Sequence, residues 1–241
     1  MLEKGFAPMA DDLLSLIEKK SVILFDLFHT LVSIDAVHLS GPGTSELLGV
    51  STEEWNRQLL ECSNARLVGE ISDPYDIIRR MAHAIDPEIP EETILHAADR
   101  RMERFANAIR SVSAMTLDVL NALRTKGKRL ALISNADVTE VTAWDESPIA
   151  ELFDTALFSC HLGHVKPDPK IYNMAMDQLG VESNECVFVG DGGSNELAGA
   201  RNCAITTVMM TGIIKDLWPE KIDERKPDAD FVIEDLNELV V

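Results

Sequence analysis

Apolar and polar positions follow two different rhythms along this chain. Short apolar runs at 22–25, 129–134, 156–159, 186–189, 206–209 and 231–233 read as strands. Helical patterns lie between the later runs. One ends near Lys126-Gly127, one follows the 129–134 run, one covers Pro169 to Leu179, and one follows the 186–189 run. Strands that alternate with helices imply a parallel sheet covered on both faces. From about Ile34 to Ser113 the pattern is helical and β-branched runs are scarce. Ser51 with Glu54 forms a capping-box signature, Asp73-Pro74 opens another helix, and Pro90-Glu91-Glu92 opens a long one towards Arg110. The chain is therefore expected to be an α/β core, residues 1–33 and 114–241, with a small all-helical insert, 34–113. A short helical pattern opened by Asp11 and Asp12, with Leu13, Leu14, Leu16 and Ile17 as its apolar face, precedes the first strand. Nothing in the sequence explains that extra helix.

Composition narrows the partners. Lys plus Arg is 22 and Asp plus Glu is 41, a formal charge of -19. Such a balance argues against nucleic acid and anionic membrane. It also repels phosphorylated molecules at long range, so any phosphate site must supply local positive charge. Cys62, Cys160, Cys186 and Cys203 form no CxxC pair and no zinc-like spacing. They read as inert thiols of a reducing compartment. With no signal-like N-terminal segment and no apolar stretch of membrane length, the chain reads as soluble and cytoplasmic.

Candidate chemistry sits at the ends of the expected strands. The first strand runs into FDLFHTL, Phe25 to Leu31, with Asp26 at the strand end and Thr30 four residues on. In open α/β sheets that end is where ligands bind. LISNA, Leu132 to Ala136, places Ser134 and Asn135 at the end of the second run. HVKPDPKIY, His164 to Tyr172, carries Lys166 between the third run and a helix. VGDGGSNELAGA, Val189 to Ala200, carries Asp191 and Glu196 after the fourth. Each alone has a plain explanation as a helix cap, a turn or a tight connection. Four in this order do not.

In that order the motifs resemble those of the haloacid dehalogenase-like hydrolases, over residues ~20–33 and ~114–210. The resemblance implies a Rossmann-like parallel sheet core with an all-helical cap domain between the first and second motifs. It implies Asp26 as nucleophile. Thr30, Ser134 and Lys166 would hold the phosphoryl group or balance its charge, the Asn135 backbone would donate to it, and Glu196 would assist the metal ligand from behind. It implies Mg²⁺ bound by the Asp26 and Asp191 carboxylates and the Phe28 backbone carbonyl.

The first motif departs from the family's DxDxT. Phe28 stands where phosphatases carry the Asp that protonates the leaving group and activates water. Loss of general acid–base catalysis typically costs ~10²–10⁴ in rate. Three enzymatic readings follow. A Mg²⁺-dependent phosphatase without the second Asp would favour acyl or aryl phosphates. His29, which replaces the usual glycine, either supplies the proton or points away and caps the loop. A 2-haloacid dehalogenase also lacks the second Asp and typically carries an aromatic there. WNRQLLE, Trp55 to Glu61, resembles the halide-binding segment with Arg57 one residue late, but Asp191 argues against dehalogenation. A phosphonatase is excluded, because no lysine occurs between Lys20 and Lys126. A fourth reading is a degenerate member that binds a phosphorylated ligand without turnover.

Substrate choice in this family usually comes from the cap. Arg57 and Arg66 are the expected clamps for a carboxylate or second phosphate, whereas most other cap arginines read as solvated or intrahelical pairs. The expectation is a phosphatase-type hydrolase acting on a small phosphorylated metabolite, slow on simple alkyl phosphates. The sequence sets no oligomeric state.

Overall fold

A computed structural model describes residues 10–34 and 41–241. The start of the expected insert, residues 35–40, and the first nine residues lie outside this description. Six strands form one sheet: β1 (Val22–Phe25), β2 (Arg129–Ser134), β3 (Thr155–Phe158), β4 (Cys186–Gly190), β5 (Thr206–Met210) and β6 (Phe231–Ile233). All pairings are parallel and the order is β3-β2-β1-β4-β5-β6. The chain winds outward from β1 through β2 to β3, then returns to the other side of β1 at β4. That reversal leaves a crevice beyond the carboxyl ends of β1 and β4.

The strands match the expected runs because they are buried on both faces. Alternate residues enter two different cores. Ile23, Phe25, Leu130, Leu132, Val187 and Val189 face one side, and Val22, Leu24, Ala131, Ile133 and Phe188 face the other. The first side is covered by α1 (Ala10–Lys19) and, beyond the insert, by the helix Ala114–Thr125. Leu13 and Ile17 of α1 share this cluster with Leu236 and Leu239. The extra N-terminal helix thus seals one face of the sheet against the C-terminal turn.

The insert comprises α2 (Thr44–Leu48), α3 (Thr52–Glu61), α4 (Ser63–Leu67), α5 (Pro74–Ile85) and α6 (Glu91–Arg110). Its helices start where expected. Ser51 and Glu54 close a reciprocal capping box, and Asp73 accepts from the Asp76 amide with Pro74 in the first turn. A separate apolar cluster, including Trp55, Ile77, Ile78, Met81 and Ile94, holds it together.

The chain then continues through α7 (Ala114–Thr125), α8 (Val138–Val141), α9 (Ser159–Leu162), α10 (Pro169–Leu179), α11 (Glu196–Asn202), α12 (Ile214–Leu217) and α13 (Glu220–Arg225). α10 and α11 cover the second face through Ile171, Tyr172, Leu197 and Ala200. The helix expected between β2 and β3 is replaced by the four-residue α8 and two 3₁₀ turns, 144–146 and 150–152. Pro148 bars any helix from continuing past Ser147, since proline disfavours helix in the residue before it and lacks an amide donor. Among the described residues no helix is long and apolar enough to cross a membrane.

Candidate active site

Four strand ends and the loops that follow them converge on one cleft of about 270 Å³. Asp26 emerges from β1, and its amide donates to the Val189 carbonyl of β4 (2.9 Å). The loop after it turns tightly, with the Leu31 and Val32 amides both donating to the Leu27 carbonyl. This brings Thr30 back so that its hydroxyl donates to Asp26 Oδ2 (2.9 Å). Lys166 Nζ donates to Asp26 Oδ1 and to Glu196 Oε2, each at 2.6 Å. Asn135 fixes the lysine from behind: its side-chain amide exchanges two hydrogen bonds with the Lys166 backbone, at 2.7 and 2.9 Å. Glu196 enters the site because residue 190 is glycine. A Cβ there would stand 2.2 Å from Glu196 Oε1. That oxygen accepts from the Gly192 amide (2.9 Å).

Asp191 completes the group. Carboxylate oxygens of Asp26, Asp191 and Glu196 all lie within 4.8 Å of one another, and all three residues are buried. Two cations face them, Lys166 and Arg225, the latter with Nη1 2.7 Å from Asp191 Oδ2. With all five groups ionised, three acids against two bases would leave one surplus negative charge. Burial lifts both Asp26 and Glu196 above the usual carboxylate range, against the pull of Lys166. Burial alone would lower the Lys166 ammonium, but Asp26 and Glu196 outweigh it and keep the lysine protonated.

Two polar atoms beside the cleft have no hydrogen-bond partner: Ser134 Oγ and His29 Nδ1 are buried and unpaired. A buried hydroxyl is rarely left so unless something else satisfies it. His29 has a left-handed backbone (φ 64°), a conformation that glycine adopts without strain. Its ring lies edge-on to Trp218, centroids 4.7 Å apart, and both residues line the cleft. His29 therefore stays at the site instead of turning away as a loop cap. Phe28 lines the cleft too, and its ring packs edge-on against Phe105 of α6 (5.3 Å). The oxygen-rich acid trio suits a hard divalent cation in donor type and surplus charge.

The two expected arginine clamps are elsewhere. Arg57 is exposed on α3, 3.9 Å from Glu61 one turn on, as a solvated helix face requires. Arg66 is buried, with Nη1 2.5 Å from Asp137 Oδ2 and Nη2 donating to the Leu59 carbonyl (3.0 Å). Arg101 joins it, donating to Thr139 Oγ1 (3.0 Å) and to Glu140 Oε1 (2.5 Å). Both arginines hold the insert to α8 and bind no part of the cleft. Trp55 is core. Among the described residues, none from the insert lines the cleft. The remaining wall comes from Ser194 and from Trp218 and Arg225, between β5 and β6. Sequence reasoning missed those two, because neither belongs to a motif. The one available signal is a Trp and an Arg set close together in an otherwise polar segment after a strand.

The (S)-2-haloacid dehalogenase 4A of Burkholderia cepacia is 28% identical over 206 residues, 81% of this chain and 84% of that protein. Bifunctional epoxide hydrolase 2 of Rattus norvegicus is 33% identical over 110 residues, 44% of this chain and 20% of that protein. The matched stretch is thus about a fifth of that relative's length. Glyceraldehyde 3-phosphate phosphatase of Methanothermobacter thermautotrophicus is 25% identical over 127 residues, 52% of this chain and 55% of that protein. A dehalogenase crystal structure superimposes with a TM-score of 0.64 at 23% identity, covering 91% of this chain and 95% of that one, a likeness of fold. The family model for haloacid dehalogenase-like hydrolases matches residues 20–203. With that match over most of the chain, on this sheet and these strand-end motifs, the protein belongs to the haloacid dehalogenase-like hydrolases.

Proposed function

We propose that this hydrolase is a phosphatase acting on small phosphorylated molecules through an aspartyl-phosphate at Asp26. The convergence of Asp191 with Asp26 and Glu196 carries this reading. Attack at carbon needs one ionised carboxylate and no metal, so nothing in that step calls for a second carboxylate packed against the nucleophile. A second acid becomes useful when a divalent cation sits between the nucleophile and a phosphoryl group. Asp26 and Asp191 would hold Mg²⁺, with the Phe28 carbonyl as third ligand, and the metal would supply charge screening at the transferring group.

The chain's own residues divide the remaining work. Asp26 attacks phosphorus, the ester oxygen leaves with its bonding pair, and water then hydrolyses the aspartyl-phosphate to regenerate the carboxylate. Lys166 balances charge on the nucleophile and the transferring group, and Thr30 orients the carboxylate. Ser134 Oγ, unpaired and buried, is a ready donor for a phosphoryl oxygen. Phe28 offers no proton, so leaving groups that depart as stable anions are favoured, such as aryl and acyl phosphates.

A second reading, 2-haloacid dehalogenation, is favoured by the aromatic at position 28 and by the similarity along 84% of the Burkholderia enzyme. In it Asp26 displaces halide from carbon and water hydrolyses the resulting ester.

Hydrolysis of p-nitrophenyl phosphate and acetyl phosphate with Mg²⁺ or EDTA, beside halide release from 2-chloropropionate, tests both. Mg²⁺-dependent phosphate release lost in Asp26→Asn is the expected result. Halide release that survives EDTA overturns it.

A further inference from the structure

Arg225 approaches the acid trio from outside every family motif. Its Nη1 donates to Asp191 Oδ2 (2.7 Å) and to the Asp191 carbonyl (3.2 Å), while Oδ1 of the same carboxylate accepts from the Gly193 amide (2.8 Å). Both oxygens of the candidate metal ligand thus already accept a hydrogen bond. The approach is built into the backbone. Gly192 has φ +86°, and a Cβ there would stand 2.9 Å from Arg225 Cβ and 3.1 Å from its Cδ. Only glycine lets the arginine stem pass this close.

The element that carries Arg225 is anchored to the second-face cluster through Ile222, and Arg225 stands at its last position. None of the side chains of α13 is fully buried, and Lys221 pairs with its own neighbour Glu224 (2.9 Å). Withdrawal of the guanidinium therefore repacks no core. A divalent cation and a guanidinium at the same carboxylate repel one another, strongly so in a poorly hydrated site.

We propose that Arg225 is a displaceable counter-ion of Asp191 that competes with divalent cation for this carboxylate. It thereby sets the cation affinity of the site from the segment between β5 and β6. The inference rests on the phosphatase reading above, in which Asp191 is a metal ligand.

Mn²⁺ alone is the probe, titrated by calorimetry and by the spin-resonance signal of free Mn²⁺ into the wild type, Arg225→Gln, Arg225→Met and Asp191→Asn. Arg225→Gln binds Mn²⁺ about tenfold tighter or more, on the scale by which one close opposite charge shifts a carboxylate equilibrium. Its melting temperature rises with Mn²⁺ by more than that of the wild type. Asp191→Asn loses the binding. Equal or weaker binding by a folded Arg225→Gln overturns the inference. Should that variant not fold, Arg225→Met carries the test, because it keeps the apolar stem and removes the charge, and unchanged affinity overturns it equally. Phosphate release is read in parallel. Tighter Mn²⁺ binding without any wild-type phosphate release leaves the counter-ion standing and removes the phosphatase reading. Phosphate release with equal affinities does the reverse.

Discussion

Two buried clusters of charge flank the loop that leaves β2, and they are built to opposite ends. On one side Ser134 and Asn135 border the cleft with Asp26, Asp191, Glu196, Lys166 and Arg225. On the other, Asp137 and Glu140 of α8 meet Arg66 and Arg101 from the insert. The second cluster is balanced, two acids against two bases. Asp137 also accepts from the amide and the hydroxyl of Thr139, and only Arg66 Nε lacks a partner. The first has a surplus acid, an unpaired hydroxyl and an adjoining cavity. A saturated cluster fixes geometry, whereas an unsaturated one leaves room for a ligand to complete it. The contrast explains why buried arginines in the insert are no evidence of a substrate clamp.

The comparison can be broken at its strongest point first. Asp26→Asn is expected to lower turnover by about 10³-fold or more while leaving the fold intact, as measured by single-turnover phosphate release and a melting curve. In the wild type the nucleophile must be ionised. Because burial raises its carboxyl above the ordinary 3.8, kcat/KM falls with decreasing pH before that value is reached.

Arg66→Ala attacks the balanced cluster. It leaves Asp137 buried with less compensation, and a loss of about 3–5 kcal/mol in urea denaturation is expected. Paired replacement, Arg66→Met with Asp137→Asn, which keeps the acceptor for Thr139, recovers most of it. Equal destabilisation by the single and the paired variants would deny the pair its role.

Phe28→Asp sharpens the functional side. Restoring an acid next to the nucleophile is expected to raise turnover of simple alkyl phosphates by about 10²-fold. Steady-state assays that show no gain would count for the dehalogenation reading.

Glu140 gives a smaller, pH-dependent effect. Burial, with Asp137 beside it, pushes its carboxyl up to about 7 from 4.5, against Arg101 and Arg66. The folded state then holds the proton more tightly than the unfolded chain. Stability from protonated Glu140 is fully present below pH 4.5 and is lost as pH rises to about 7. The window is worth on the order of 3 kcal/mol. Urea midpoints between pH 4.5 and 8 are expected to fall in the wild type relative to Glu140→Gln, which lacks this slope. Smallest of all, Arg57→Ala should leave melting temperature and KM unchanged, because its ion-pair partner among the described residues is an exposed neighbour on its own helix.

Much of this architecture was legible in the chain. Strand positions follow from continuous apolar runs, which a doubly covered parallel sheet demands. Helix starts follow from Ser51, Asp73 and Pro90, where local hydrogen bonding or proline geometry decides. Asp26, Ser134, Lys166 and Asp191 were findable because a strand end is both a sequence boundary and a ligand site. The failed helix between β2 and β3 had its own warning in Pro148.

What one dimension could not contain was which distant side chains meet. Lys166 lies 140 positions from Asp26, Arg225 lies 34 from Asp191, and Arg66 lies 71 from Asp137. An arginine's charge is local information, but its partner is not. Composition and spacing therefore determined the fold class and the strand-end motifs, and the family resemblance marked the missing acid at position 28. Tertiary structure alone decided that Arg66 locks the insert down, that Arg57 serves solvent, and that Trp218 and Arg225 wall the cleft. The physical reason is that burial and charge pairing are properties of the packed chain, set by how the sheet order and the crossovers bring separate segments together.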